Sequence, residues 1–241
     1  MSNRSPGWTP NDDVAAAKDR LAAVGFIASI IGHRARNKLS TIRAALELLH
    51  AGMEENMSPE YRAALLREMD DFVGDFNLGI DMVRCDFGPL EELSAKAVIE
   101  GVLGEFGPLA QRRGVRLEGS FDPAADRVLS DRRLLRIVLL NLLRNSLEAL
   151  DGVKAAAIRV RTESSGGRSA VEVEDNGRGV PPDLEERLFA DPAQGRGGIG
   201  LGLVLCRDAM TIMGGTIRLA TPKGAAGARF RLEFSPENPV S

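Results

Sequence analysis

The chain is poor in the residues that would make several function classes easy to read. Its 241 residues include two Cys, two His, one Trp and one Tyr. Cys85 and Cys206 are too few and too far apart for a disulfide framework or a zinc site, and a reduced cytosolic setting fits them. No apolar run approaches the ~18–20 residues of a membrane span. The N-terminus shows no signal peptide. The chain therefore reads as cytoplasmic, with no membrane segment. The formal net charge is −3 with both signs interspersed, so no nucleic-acid footprint is visible. Proline is absent from residues 13–50, which leaves a long helix uninterrupted there.

What is present concentrates in three polar or glycine-rich clusters of the C-terminal half. The first is Asn141 with Asn145, within Ile137-Val-Leu-Leu-Asn-Leu-Leu-Arg-Asn145. Asparagines four apart on an apolar helix share one face. Left unpartnered among Leu and Ile, each amide would cost roughly 1–3 kcal/mol. A hydrated Mg²⁺ carrying phosphate oxygens would meet that need, and Glu148 could hold a metal-bound water. A pair of amides bonded to a neighbouring backbone would meet it equally. The second cluster is Asp175-Asn-Gly-Arg-Gly179, which follows the alternating stretch Ala170-Val-Glu-Val-Glu174. A carboxylate at a strand end can accept from an exocyclic amine, and Gly177 and Gly179 let the backbone approach a flat ring. Asp-Asn-Gly is also an ordinary turn signal. The third is Gly197-Gly-Ile-Gly-Leu-Gly-Leu203 at a helix start. Backbone N–H groups around Gly198, Gly200 and Gly202 and the positive helix end suit phosphate, with Arg196 as an added charge. The same glycines also make a flexible loop.

In this order and spacing the clusters resemble the ATP-binding domain shared by histidine kinases, type II topoisomerases, ninety-kilodalton heat-shock chaperones and mismatch-repair ATPases. The resemblance spans roughly residues 88–236. It implies that Asn145 holds Mg²⁺, Asp175 reads the adenine amine, and Gly198, Gly200 and Gly202 bind phosphates, with Asn141 lining the same pocket. Phe189 sits where histidine kinases carry a phenylalanine in the lid region. Relatives that hydrolyse ATP place a catalytic glutamate where this chain has Asn141, which argues against a hydrolytic ATPase. Anti-sigma-factor serine kinases share the ATP domain but lack the preceding hairpin.

The N-terminal half points to one branch of that family. Leu21, Ala28, Ala35, Ile42 and Leu49 fall at one heptad position, and Val24, Ile31, Lys38 and Ala45 at the other. That periodicity predicts a helix packed in a bundle, with His33 facing outward and Asn37 one turn on. Ser58 and Pro59 open a second helix striped by Leu65, Phe72, Phe76, Ile80 and Val83. Two helices cannot enclose this much apolar surface, whereas a dimeric four-helix bundle can. Phe26-Ile-Ala-Ser-Ile-Ile-Gly-His33-Arg-Ala-Arg-Asn-Lys-Leu39 resembles the phosphoacceptor box of histidine kinases. The chain departs from that box at Arg34, where the family usually has a carboxylate, and at Lys38, where it often has proline.

The expected fold class is α+β: a helical hairpin that forms a dimeric four-helix bundle, followed by a two-layer α/β sandwich that binds ATP. The expected organisation is a polar leader at 1–12, a dimerisation and phosphotransfer hairpin at 13–87, the ATP-binding domain at 88–236 and a tail at 237–241. Strands are expected at 115–118, 157–161, 170–174, 215–220 and 228–234, and helices at about 94–112, 131–151 and 200–213. The resemblance implies an ATP- and Mg²⁺-dependent protein histidine kinase in which His33, Arg34 and Asn37 form the phosphoacceptor site. It implies a homodimer and a response-regulator receiver domain as partner. Without an input domain before the hairpin, a separate sensor protein supplies the signal or the chain is the core of a longer one. The competing reading is a pseudokinase, a histidine phosphotransfer protein or a response-regulator phosphatase for which ATP is a regulatory ligand. Arg34 and Asn37 favour it.

Overall fold

The computed structural model describes residues 80, 90–185, 188–189, 201–222 and 225–235. The chain divides into two compact units, Met1–Phe87 and Gly88–Ser241. Apart from residue 80, the predicted hairpin lies outside the described residues, and with it His33, Arg34 and Asn37; so do Arg196, Gly198 and Gly200.

The second unit is a five-stranded sheet with helices on one face. In chain order its elements are β1 (Glu91–Ser94), α1 (Ala95–Arg112), β2 (Arg116–Ser120), a 3₁₀ turn (Pro123–Ala125), β3 (Arg127–Ser130), α2 (Arg132–Ala149), β4 (Ala157–Ser165), β5 (Arg168–Asp175), α3 (Pro182–Glu185), α4 (Leu201–Ile212), β6 (Thr216–Leu219) and β7 (Arg229–Glu233). The sheet runs β2-β4-β5-β7-β6, with β2 parallel to β4 and the other neighbours antiparallel. The expected two-layer α/β arrangement is present. β1 and β3 form a separate antiparallel pair that the sequence reading omits; four residues each are too few to show an alternation.

α2 is the central helix. Asp131 caps it, its carboxylate accepting from the N–H groups of Arg133 and Leu134 at 2.8 and 3.0 Å. Leu134, Leu135, Leu139, Leu142 and Leu143 are fully buried, as are Ile99 of α1, Ile158 of β4, and Leu205 and Met210 of α4. These side chains fill the space between the helices and the inner sheet face. Ser94 caps α1 by accepting from the Ala97 N–H at 3.0 Å, while its hydroxyl donates to Asp126 at 2.8 Å. That bond ties the start of α1 to the chain just before β3.

Among the described residues no helix covers the outer sheet face, which is tiled with arginine and glutamate. Alternation puts Arg159 and Arg161 of β4, Glu172 and Glu174 of β5, and Arg229 and Arg231 of β7 on the same side, in register. Glu172 stands opposite both Arg161 and Arg231 and accepts from them at 2.6 and 2.7 Å. Arg231 also pairs with Glu163 and Glu233, and Arg229 with Glu174 at 3.1 Å. Glu172 is 3% exposed. Burial pushes its carboxyl up, but the bonds from Arg231 and Arg161 outweigh burial and hold it below the usual glutamate range. The arginine stems lie over the sheet and carry their charge into the lattice.

Glu172→Gln is expected to destabilise the domain by roughly 2 kcal/mol. That is less than the ~3–5 kcal/mol for breaking a fully buried pair, because Arg231 keeps Glu163 and Glu233. The folded carboxyl titrates below the unfolded one. Its contribution is therefore complete above the unfolded pKa and lost as pH falls through the folded one. Denaturant melts at neutral pH and near pH 3 check both points: the wild type and Glu172→Gln should converge in stability at the acid end.

Candidate nucleotide-binding site

The site forms where α2, the end of β5 and the start of α4 meet. β5 ends on Asp175, which is 4% exposed. Its Oδ1 accepts from the N–H groups of Gly177 and Ala228, at 2.8 and 3.3 Å. Its Oδ2 accepts from the Ser146 hydroxyl of α2 at 3.2 Å. Burial pushes the Asp175 carboxyl above the ordinary aspartate range; the bonds from Gly177, Ala228 and Ser146 oppose that rise, and the charge of Glu174 adds to it. The carboxylate is thus held by a fixed set of donors rather than by an ion pair.

Glycine supplies the close approaches around it. Gly227 has φ +80°, and a Cβ there would fall 1.8 Å from the Asp175 carbonyl oxygen, so no other residue fits without moving β5 or β7. Gly177 packs on the last turn of α2, with Ala149 O only 2.6 Å from where its Cβ would lie. Gly179, at φ +72°, passes the Gly227 carbonyl. Asn176 clasps the entry to β4. Its Oδ1 accepts from the Ala157 N–H at 2.8 Å, and its Nδ2 donates to the Ala155 carbonyl at 3.1 Å. Ala155 carries φ 53°, the one positive φ at a non-glycine among the described residues.

The asparagine cluster is nearby on α2. Asn141 is 7% exposed, and its Nδ2 donates to the Cys206 sulfur of α4 at 3.3 Å. Its amide lies against Gly202, where a Cβ would fall 2.3 Å from Oδ1. One partner of the buried amide is therefore a thiol, which the sequence reading did not weigh. Asn145, one turn further, is half-buried, and Glu148 beyond it is exposed. α2 thus touches the second cluster through Ser146 and the third through Asn141. Five helical residues separate these points, about 7.5 Å along the axis.

Phe189 sets its ring edge-on to Phe230 of β7, with centroids 6.4 Å apart, and its carbonyl accepts from the Arg207 guanidinium of α4. Arg207 also donates twice to Asp208, at 2.9 and 2.7 Å. Ser146, Gly227 and Arg207 escaped the sequence reading. Ser146 directly follows Asn145, and Gly227 ends Gly224-Ala-Ala-Gly227 before β7, so both carried a local signal. Arg207 carried none.

These residues suit a purine nucleotide. Asp175 retains acceptor capacity on Oδ2 for an amine, since a carboxylate oxygen takes about two donors. Asn145 offers a hard amide oxygen of the kind Mg²⁺ takes together with phosphates and waters. Among the described residues no cluster of three or more His, Cys, Asp or Glu could hold a metal ion.

Asp175→Asn is expected to preserve or raise thermal stability. The amide oxygen can keep the two backbone bonds while its NH₂ donates to Ser146. The wild-type carboxyl, raised on folding, costs stability at every pH above its folded pKa, and the variant removes that cost. Melting curves of the nucleotide-free protein check this, and a fall in Tm refutes it. Gly202→Ala should weaken nucleotide binding at least tenfold by displacing the Asn141 amide, readable by calorimetry.

Residues 130–238 match the family model of the histidine kinase-, DNA gyrase B- and HSP90-like ATPases. The chain is 32% identical over 231 residues to the signal transduction histidine-protein kinase AtoS of Escherichia coli K12, covering 93% of this chain and 36% of AtoS. It is 30% identical over 223 residues to the sensory histidine kinase/phosphatase NtrB of E. coli O157:H7, covering 87% of this chain and 60% of NtrB. The chain thus spans roughly a third to three-fifths of these relatives' length. Among solved structures, the catalytic domain of histidine kinase ThkA superposes with a TM-score of 0.53 at 26% identity, covering 61% of this chain and 97% of that domain. ThkA in complex with response regulator protein TrrA shares the fold at 20% identity, with a TM-score of 0.61 over 98% of this chain and 69% of that one. The ATPase-family match lies over the elements that carry Asp175, Asn141 and Gly202, and the chain is similar to the core of sensor histidine kinases.

Proposed function

We propose that this chain is an ATP-dependent protein histidine kinase that phosphorylates itself on His33 and passes the phosphoryl group to an aspartate of a response regulator. The observation that carries the reading is the convergence of three separate sequence clusters on α2, around a buried carboxylate. Asp175 accepts from the adenine amine. Asn141, Asn145, Gly177 and Gly179 line the nucleotide. Arg196, Gly198, Gly200 and Gly202 take the phosphates. Asn145 would hold Mg²⁺, which would supply neutralisation of phosphate charge.

His33 near its unperturbed pKa of about 6.5 is largely neutral at cellular pH. A ring nitrogen can then attack the γ-phosphorus, and ADP departs with the bridging oxygen. Arg34 disfavours the imidazolium and attracts the γ-phosphate. Asn37, one turn on, orients the acceptor. Catalysis rests on positioning and charge neutralisation rather than on covalent chemistry by the protein. The predicted organisation follows: a dimerisation and phosphotransfer hairpin at 13–87 and an ATP domain at 88–236, working as a cytoplasmic homodimer. Receipt of a signal from a separate sensor protein belongs to the same reading. The response regulator complexed with ThkA supports the proposed partner.

A second reading rests on Arg34 and Asn37. An asparagine near the histidine can place a water on a phosphoaspartate, and NtrB is by name a kinase and phosphatase. In that case ATP is a regulatory ligand.

The deciding test incubates the full chain and His33→Gln with γ-labelled ATP and Mg²⁺. Acid-labile, alkali-stable label in the wild type and none in the variant is expected. No label despite measured nucleotide binding refutes the autokinase and leaves the phosphatase, phosphotransfer or pseudokinase alternative.

A further inference from the structure

We infer that Ser146 is a specificity-determining positioning residue, which makes the site select 6-amino over 6-oxo purines by fixing how Asp175 presents its free acceptor. The inference deepens the reading of Asp175 as the base-recognition group and rests on it.

The geometry is specific. Oδ1 of Asp175 is filled by two backbone N–H donors, Gly177 and Ala228. Their positions follow from the turn after β5 and from the start of β7, so Oδ1 cannot rotate toward a ligand. Ser146 is 2% exposed, and its hydroxyl donates to Oδ2 from α2. Three donors from three different elements therefore hold the carboxyl plane. With Ser146 in place, one lone-pair direction of Oδ2 remains. A ligand N–H meets that direction well. A ligand carbonyl oxygen would meet a carboxylate oxygen and be repelled.

Ser146 is also the one donor of the three that is carried by a side chain. Without it, Oδ2 has two open directions and the carboxyl can swing about its fixed Oδ1. A proton on Oδ2 could then donate to a 6-oxo group. Discrimination should fall while binding of the common ribose and phosphates persists. The position is notable because Ser146 directly follows Asn145 on α2, so one helix sets both the base end and the metal end of the pocket.

The test measures calorimetric Kd values for ADP and GDP, with Mg²⁺, on the full chain. The readout is the ratio of the GDP to the ADP constant, in which shared ribose and phosphate contacts cancel. Ser146→Ala should lower that ratio about tenfold, the size expected for losing a hydrogen bond to a charged group. Ser146→Thr, which keeps the hydroxyl, should retain the ratio. An unchanged ratio in Ser146→Ala, while Asp175→Asn abolishes the preference for ADP, overturns the role of Ser146 and leaves that of Asp175 intact. Persistent ADP preference in Asp175→Asn overturns the underlying reading of the site itself.

Discussion

A buried carboxylate is costly unless donors are waiting for it, and much of the site is arranged to supply them. Asp175 sits at the end of β5 with two backbone N–H groups on one oxygen and a serine hydroxyl on the other. Each donor requires something of the chain around it. Gly177 must bend away from β5, and it does so against the last turn of α2. Ala228 must come within reach, and the preceding Gly227 allows it by adopting a left-handed conformation at the Asp175 carbonyl. Ser146 must face the sheet, which sets the rotation of α2 and with it the placement of Asn141. The position of α4 follows in turn, because Gly202 packs on that asparagine.

The helix connecting these points buries most of its circumference and leaves one charged stripe, Arg132, Arg136, Arg144 and Glu148, exposed. Its few buried polar side chains, Asn141 and Ser146, each have a named partner on another element. Such contacts specify register as well as adding stability, since sliding α2 by one turn would orphan both groups. The ATP domain therefore couples its core packing to its chemistry through a single helix.

Much of this was legible from the residues. Strand alternation located β4, β5 and β7, and the leucine-rich run located α2, because both periodicities are strong over many residues. The three clusters were visible because glycine and asparagine are unusual where they stand. The limits were physical too. β1 and β3 are too short to carry a period. The partner of Asn141 is Cys206, 65 residues away, and nothing local in either residue announces the other. Val171-Glu-Val-Glu174 reads as a strand by its alternation, which does not tell what lies over its polar face, and Glu172 is buried beneath arginines from both neighbouring strands. Burial of a charge depends on what lies across the sheet, and that is fixed by register rather than by composition. His33 and its neighbours lie outside the described residues, and their proposed role rests on motif and heptad.

The arginine–glutamate lattice on the outer sheet face has a consequence for the shape of the domain. A sheet with helices on one side only would leave half its backbone under a thin skin of side chains. Here that skin is cross-linked by charge into something closer to a third layer, built without secondary structure. Its charges are satisfied internally, so it projects little field into solvent. An anionic nucleotide approaching that side meets charges of both signs in alternation rather than a field of one sign.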